Sequence, residues 1–148
     1  MDKLIRKIEH LHENEINHIK ININQKQETV FISDESRIEV ILNNLISNAI
    51  KYSDPNEKNP TVDVDIVINE KQVEIKVKDN GIGINPAFLK DIFKLFFRAN
   101  DKRNVEGTGI GLYIVKETIE KLNGKIYAIA NSTKGTTFDV IIPNHSLS

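Results

Sequence analysis

The sequence predicts an α+β fold, a two-layer α/β sandwich in which a mixed sheet of about five strands is covered on one face by about three helices. Three observations carry this. Val62 to Ile68, Val73 to Asp79 and Phe138 to Ile142 alternate apolar and polar residues, the period of half-buried strands. Between them lie stretches of helical period with one apolar stripe each, which must be buried against something. The strands mostly follow one another as neighbours, so the regular strand-helix alternation of a doubly wound parallel sheet is missing.

Composition narrows the classes further. A chain of 148 residues suits one domain with one sizeable core. A net charge of -1 gives no bulk electrostatic case for nucleic acid or an anionic membrane. Cysteine is absent, which excludes disulfides and thiolate zinc sites. No apolar run approaches the roughly 20 residues of a membrane helix. The charged N-terminus does not read as a signal peptide, so the expected location is cytoplasmic, compatible with a membrane-anchored parent protein.

In chain order, Leu4, Ile5, Ile8 and Leu11 predict an opening amphipathic helix. Ile19, Ile21 and Ile23 alternate as a strand, and Val30-Phe31-Ile32 reads as a short second one. Ser33-Asp34-Glu35-Ser36 is a helix-start cluster, with Ser36 and Glu39 spaced as a capping box. The helix that follows is the strongest, with Ile38, Ile41, Leu42, Leu45 and Ala49 on its stripe. After a polar, proline-rich loop, two strands (Val62 to Ile68 and Val73 to Asp79) form a hairpin through Asn69-Glu70-Lys71. Pro86 starts a helix through Phe88, Leu89, Ile92 and Phe93. Residues 98–106 are almost without apolar content and predict a mobile loop. Gly107 to Gly111 open a helix through Leu112, Val115, Ile119 and Leu122, ended by Asn123-Gly124. Strands from Ile126 to Ala130 and through Phe138, Val140 and Ile142 close the chain.

Four places could carry chemistry. Counting by two from Val73, Asp79 falls on the apolar face of its strand, where a carboxylate is costly without donors. Gly81 and Gly83 follow at once and let bare backbone approach a ligand. Asn44, Asn48 and Lys51 share one helix face. That stripe is either a solvated surface or an oxygen ligand for a hard cation beside a phosphate-binding lysine. Gly107-Thr108-Gly109-Ile110-Gly111 is either a hinge or a helix N-terminus open to an anion. Phe93, Phe96 and Phe97 pack a core or anchor a lid. The dinucleotide glycine motif, the P-loop and the protein-kinase set are all absent. His10, His12, His18 and His145 form no zinc-peptidase motif and read as surface residues.

The order of these pieces resembles the catalytic, ATP-binding domain of sensor histidine kinases, in the GHKL superfamily. Asn44 to Ser53 is similar to that family's N box, Asp79 to Ile84 to its first glycine box, Ile92 to Arg98 to its F box, and Gly107 to Leu112 to its second glycine box. Gly135-Thr136-Thr137-Phe138 and Ile142-Pro143 fit its closing strand. Four boxes in order over residues 19–143 are a specific signal.

The resemblance implies Mg-ATP as ligand. Asp79 would accept from the adenine amino group, with Thr137 beside it, and Gly81, Gly83 and Ile84 would line the base. Tyr52 would flank the nucleotide, Lys51 would meet phosphate, and Asn48 would ligate magnesium with Asn44 in support. Phe96, Arg98, Gly107, Thr108, Gly109, Gly111 and Leu112 would belong to the lid and the phosphate side. The ATPase branches carry a glutamate where this chain has Asn44, and an amide cannot take a proton from water. The resemblance therefore implies a kinase, in which Asn44, Asn48 and Lys51 hold ATP for attack by a histidine.

That histidine is expected on a separate dimerisation domain, because His12-Glu13 matches only the first two positions of the phosphoacceptor box. Residues 1–18 would continue from that domain's linker or pack beside the catalytic domain of residues 19–148. The fragment is expected to be monomeric and its parent a homodimer that passes the phosphoryl group to a response-regulator receiver domain. The alternatives are a serine kinase of the anti-sigma type and a non-catalytic nucleotide-binding module.

Overall fold

The computed structural model describes residues 2–11, 19–95, 97 and 110–144. Among them the order is α1 (Asp2–Leu11), β1 (Lys20–Gln27), α2 (Glu35–Lys51), β2 (Thr61–Ile68), β3 (Gln72–Asp79), a short 3-10 turn (Pro86–Phe88), α3 (Gly111–Lys121), β4 (Lys125–Ala130) and β5 (Thr136–Pro143). The strands form one mixed sheet in the order β1-β2-β3-β5-β4. β1 and β2 are parallel, which requires a crossover, and α2 supplies it. The remaining pairings are antiparallel.

Alternation decides which face is buried. Val62, Val64, Ile66 and Ile68 stand beside Val77, Ile75 and Val73, and these beside Phe138, Val140 and Ile142. None is more than 1% exposed. α2 covers them with Ile38, Ile41, Leu42, Leu45, Ile46 and Ala49, and α3 with Val115 and Ile119. Leu4, Ile5 and Ile8 of α1 join the same core, and Lys7 Nζ lies 3.0 Å from Glu39 Oε1 on α2. The opposite face stays in water because its neighbours are compensating polar pairs. Asp63 faces Lys78, Asp65 faces Lys76, and Asn22 Nδ2 donates to Asp63 Oδ1 at 2.8 Å. The predicted hairpin forms as expected, with Asn69 Oδ1 accepting from the N–H groups of Lys71 and Gln72.

Local readings fail in three places, each with a physical reason. Val30-Phe31-Ile32 is not a strand. Its backbone groups are taken by a side chain instead: Asn144 Oδ1 accepts from Ile32 N at 3.1 Å, and Asn144 Nδ2 donates to Val30 O at 2.9 Å. α2 begins at Glu35, so Ser36 lies inside its first turn. The cap is Asp34, whose Oδ1 accepts from Arg37 N at 3.2 Å. The helix expected after Pro86 is only the 3-10 turn, and further turns follow it through i to i+3 bonds: Asp91 N to Phe88 O, Lys94 N to Asp91 O and Phe97 N to Lys94 O. α3 runs from Gly111 to Lys121, and just past its Leu122 cap Asn123 takes φ 60° while Gly124 N reaches back to Ile119 O at 2.9 Å.

Candidate functional site: a buried carboxylate at the end of β3

Asp79 ends β3 on the covered face of the sheet and is 6% exposed. Its Oδ1 accepts two backbone bonds, from Gly81 N at 2.9 Å and Thr136 N at 3.3 Å. Burial pushes the carboxyl above its ordinary range, and the two N–H groups pull the other way. Both donors serve one oxygen, and Oδ2 receives no bond from the described residues. The residue is largely buried, and its unbonded oxygen can accept from a ligand.

The turn after Asp79 is pressed against the end of α2. Ile82 N donates to the carbonyl of Tyr52, the C-cap residue of α2, at 3.0 Å. A Cβ on Gly81 would collide with that same carbonyl. Gly81 is thus required by close packing of backbone on backbone, and the left-handed conformation falls to Gly83 at φ 77°. Asn80 pins the turn from outside, with Oδ1 accepting from Thr61 N at 2.8 Å and Nδ2 donating to Asn59 O at 2.9 Å. Ile84 is half-buried against the core.

One helical turn apart on α2, the two asparagines differ. Asn44 Nδ2 donates back to Val40 O at 2.7 Å, which leaves Oδ1 facing the start of α3, 3.2 Å from where a Cβ on Gly111 would stand. Asn48 is half-buried, and its side chain bonds no described group. Its amide oxygen is therefore open to a hard cation that keeps water and phosphate oxygens as its other ligands, the donor set that suits magnesium. Among the described residues there is no cluster of three or more His, Cys, Asp or Glu able to hold a metal without such help. Lys51, in the last turn of α2, is exposed. Leu112 is half-buried against the core at the start of α3.

Thr137 does not sit beside Asp79. The strand register pairs it with Lys78 and Ile129 on the opposite face, and its hydroxyl donates to Asn131 Oδ1. The residue beside Asp79 is Thr136, 3% exposed, and sequence reasoning missed it. The signal was available, because counting back by two from Phe138 lands on Thr136. Phe93 meets Phe138 edge-on at 6.2 Å with Lys116 Nζ 5.6 Å from its ring, and Phe97 lies 5.9 Å from Phe88. These two phenylalanines pack against the core. Phe96, Arg98, Gly107, Thr108 and Gly109 lie outside the described residues, as do the lid expected over 99–106 and His12, His18 and His145.

Residues 33–146 match the family described as histidine kinase-, DNA gyrase B-, and HSP90-like ATPases. The chain belongs to that family. All four boxes read from the sequence fall within the matched stretch. The chain is 38% identical over 112 residues to sensor histidine kinase WalK of Bacillus subtilis (strain 168), covering 74% of this chain and 18% of that protein. It is 33% identical over 127 residues to sensor protein SrrB of Staphylococcus aureus (strain MRSA252), covering 84% of this chain and 21% of that one. It therefore spans about a fifth of the length of these relatives. Among solved structures, the nucleotide-free catalytic domain of histidine kinase ThkA superposes with a TM-score of 0.81 at 28% identity, covering 97% of this chain and 93% of that one. Full-length ShkA in complex with AMPPNP shares the fold, with a TM-score of 0.81 at 22% identity over 99% of this chain and 30% of that one. Within the family, the chain is a catalytic and ATP-binding domain of the histidine kinase type. Among the described residues, no helix is long and apolar enough to cross a membrane.

Proposed function

We propose that this domain binds Mg-ATP between α2, the Asp79–Gly83 turn and the start of α3, and donates the γ-phosphoryl group to a histidine on a separate dimerisation domain of its parent protein. The single observation that carries this is Asp79, a buried carboxylate with one oxygen tied to backbone and the other open. The exocyclic amine of adenine is a donor that fits it. Thr136, not Thr137, is the β5 residue on the base side, and Gly81, Gly83, Ile84 and Tyr52 line the approach.

On the phosphate side, Asn48 would hold magnesium through its amide oxygen, and the ion would neutralise charge on the phosphates. Lys51 would add a cation, and Gly111 with Leu112 would present the N-terminal end of α3; the family resemblance adds Gly107, Thr108 and Gly109 as phosphate contacts. Asn44 points an amide, not a carboxylate, towards that end. It cannot deprotonate water, so ATP survives until an imidazole nitrogen reaches the γ-phosphorus. The bond to the bridging oxygen then breaks, ADP leaves, and the phosphohistidine passes its phosphoryl group to the aspartate of a response-regulator receiver domain. The setting is cytoplasmic, and the parent is a homodimer.

The test is reconstitution. Radiolabelled ATP is mixed with this chain, with the parent's dimerisation domain, and with both. Label on the histidine domain only in the complete mixture is the expected result, and label on serine, or no transfer from bound ATP, would contradict it.

A further inference from the structure

The turn between β4 and β5 grips Asp79 from three sides. Asn131 Nδ2 donates to the Asp79 carbonyl at 2.9 Å and to Lys134 O at 3.0 Å. Gly135, at φ 88°, lies so close that a Cβ there would collide with the same carbonyl. Thr136 N binds Oδ1. Lys134 stands in the middle of this turn and reaches away from it. Its Nζ lies 2.6 Å from Asp54 Oδ2 and 2.9 Å from Glu57 Oε2, both in the loop that follows Tyr52.

These contacts close a ring. It runs from Tyr52 to Asp54 and Glu57, across to Lys134, through Gly135 and Thr136 to Asp79, and through Gly81 and Ile82 back to the Tyr52 carbonyl. Its links are covalent chain, backbone hydrogen bonding or packed backbone, except for two made by side chains: Asp79 Oδ1 accepting from Thr136 N, and the ammonium between two carboxylates. The second can be removed without altering Asp79. Asp54 and Glu57 are 18% and 26% exposed and Lys134 36%, so the cluster is partly sheltered from solvent. Asp54 and then Glu57 raise the proton affinity of Lys134, and the hydrogen bond from Lys134 lowers that of the Glu57 carboxyl, as expected of groups that remain ionised together.

We propose that Lys134, clasped by Asp54 and Glu57, is a positioning residue for nucleotide binding: it fixes the distance between the Tyr52 side and the Thr136 side of the base pocket. The proposal rests on the assignment of Asp79 to adenine. Lys134 itself touches no nucleotide.

The experiment is calorimetric titration of the whole chain with Mg-ADP. Lys134→Met, which keeps the apolar stem, is expected to weaken binding about three- to fivefold at low salt, the scale of a partly exposed charge network. Lys134→Arg should retain affinity. In an Asp54→Asn/Glu57→Gln background, Lys134→Met should have no further effect, because its partners are already gone. Raising the salt should narrow the gap between the unaltered chain and Lys134→Met. Circular dichroism at the titration temperature establishes that each variant is folded. If the unaltered chain fails to bind Mg-ADP, the nucleotide assignment falls and the clasp with it. If it binds and Lys134→Met binds equally, or if the two sets of changes are additive, the clasp alone is overturned and Lys134 is merely structural.

Discussion

Gly135 sits directly on the main-chain carbonyl of Asp79, at φ 88° and with no room for a side chain. The two residues are 56 apart in sequence. The contact holds the β4–β5 turn against the end of β3. Gly135→Ala faces both a collision with backbone and a left-handed conformation, and the expected cost is at least about 2 kcal/mol. Thermal or denaturant unfolding measures it. A loss below about 0.5 kcal/mol, the range of ordinary surface substitutions, would show that the two backbones can separate freely.

Asn48 presents an amide oxygen that no described residue uses. Asn48→Ala should leave the fold intact and remove the dependence of ATP affinity on magnesium. Titrations with and without the ion check this. A magnesium effect of the original size in the variant would assign the ion to other ligands.

Asp139 lies on the open face of the sheet, where burial, and then the neighbouring Glu74 carboxyl, raise its pKa to about 6. Its Oδ1 is buried and has no hydrogen-bond partner among the described residues. An acid with a raised folded-state pKa binds more protons folded than unfolded, so its effect on stability is unfavourable above pH 6 and disappears as pH falls below its ordinary value near 4. Asp139→Asn is therefore expected to stabilise the domain at pH 7.5. Discounted for solvent screening, the gain is about 1 kcal/mol, or about 3 °C in Tm. The gain should shrink as pH is lowered from 6 towards 4. A constant gain across that range would mean that proton linkage is not its source.

The pattern residues were legible because burial imposes period on them. The alternation in β2, β3 and β5, the α2 stripe and the inward aim of Asp79 all follow from which face meets the core. What local pattern could not supply was the partner of each polar group. Val30-Phe31-Ile32 has strand composition, yet Asn144, more than a hundred residues away, takes its backbone groups. Phe88, Leu89, Ile92 and Phe93 have helical spacing, yet the chain there closes i to i+3 turns after a three-residue 3-10 segment. Ser36 has capping chemistry, but Asp34 starts the helix before it. The motif wording points to Thr137, whereas the alternation through Phe138 points to Thr136. The reason for Gly81 could not be read either, because it depends on where the carbonyl of Tyr52 arrives.

The open oxygen of Asp79 is proposed to select adenine. Asp79→Asn exchanges a charged acceptor for an amide while keeping the shape. Calorimetry of the unaltered chain and of this variant with Mg-ADP reads the difference directly. The predicted result is a loss of about 1.5–3 kcal/mol, roughly ten- to a hundredfold in Kd, with the fold preserved. Equal affinity in the two proteins would contradict the assignment.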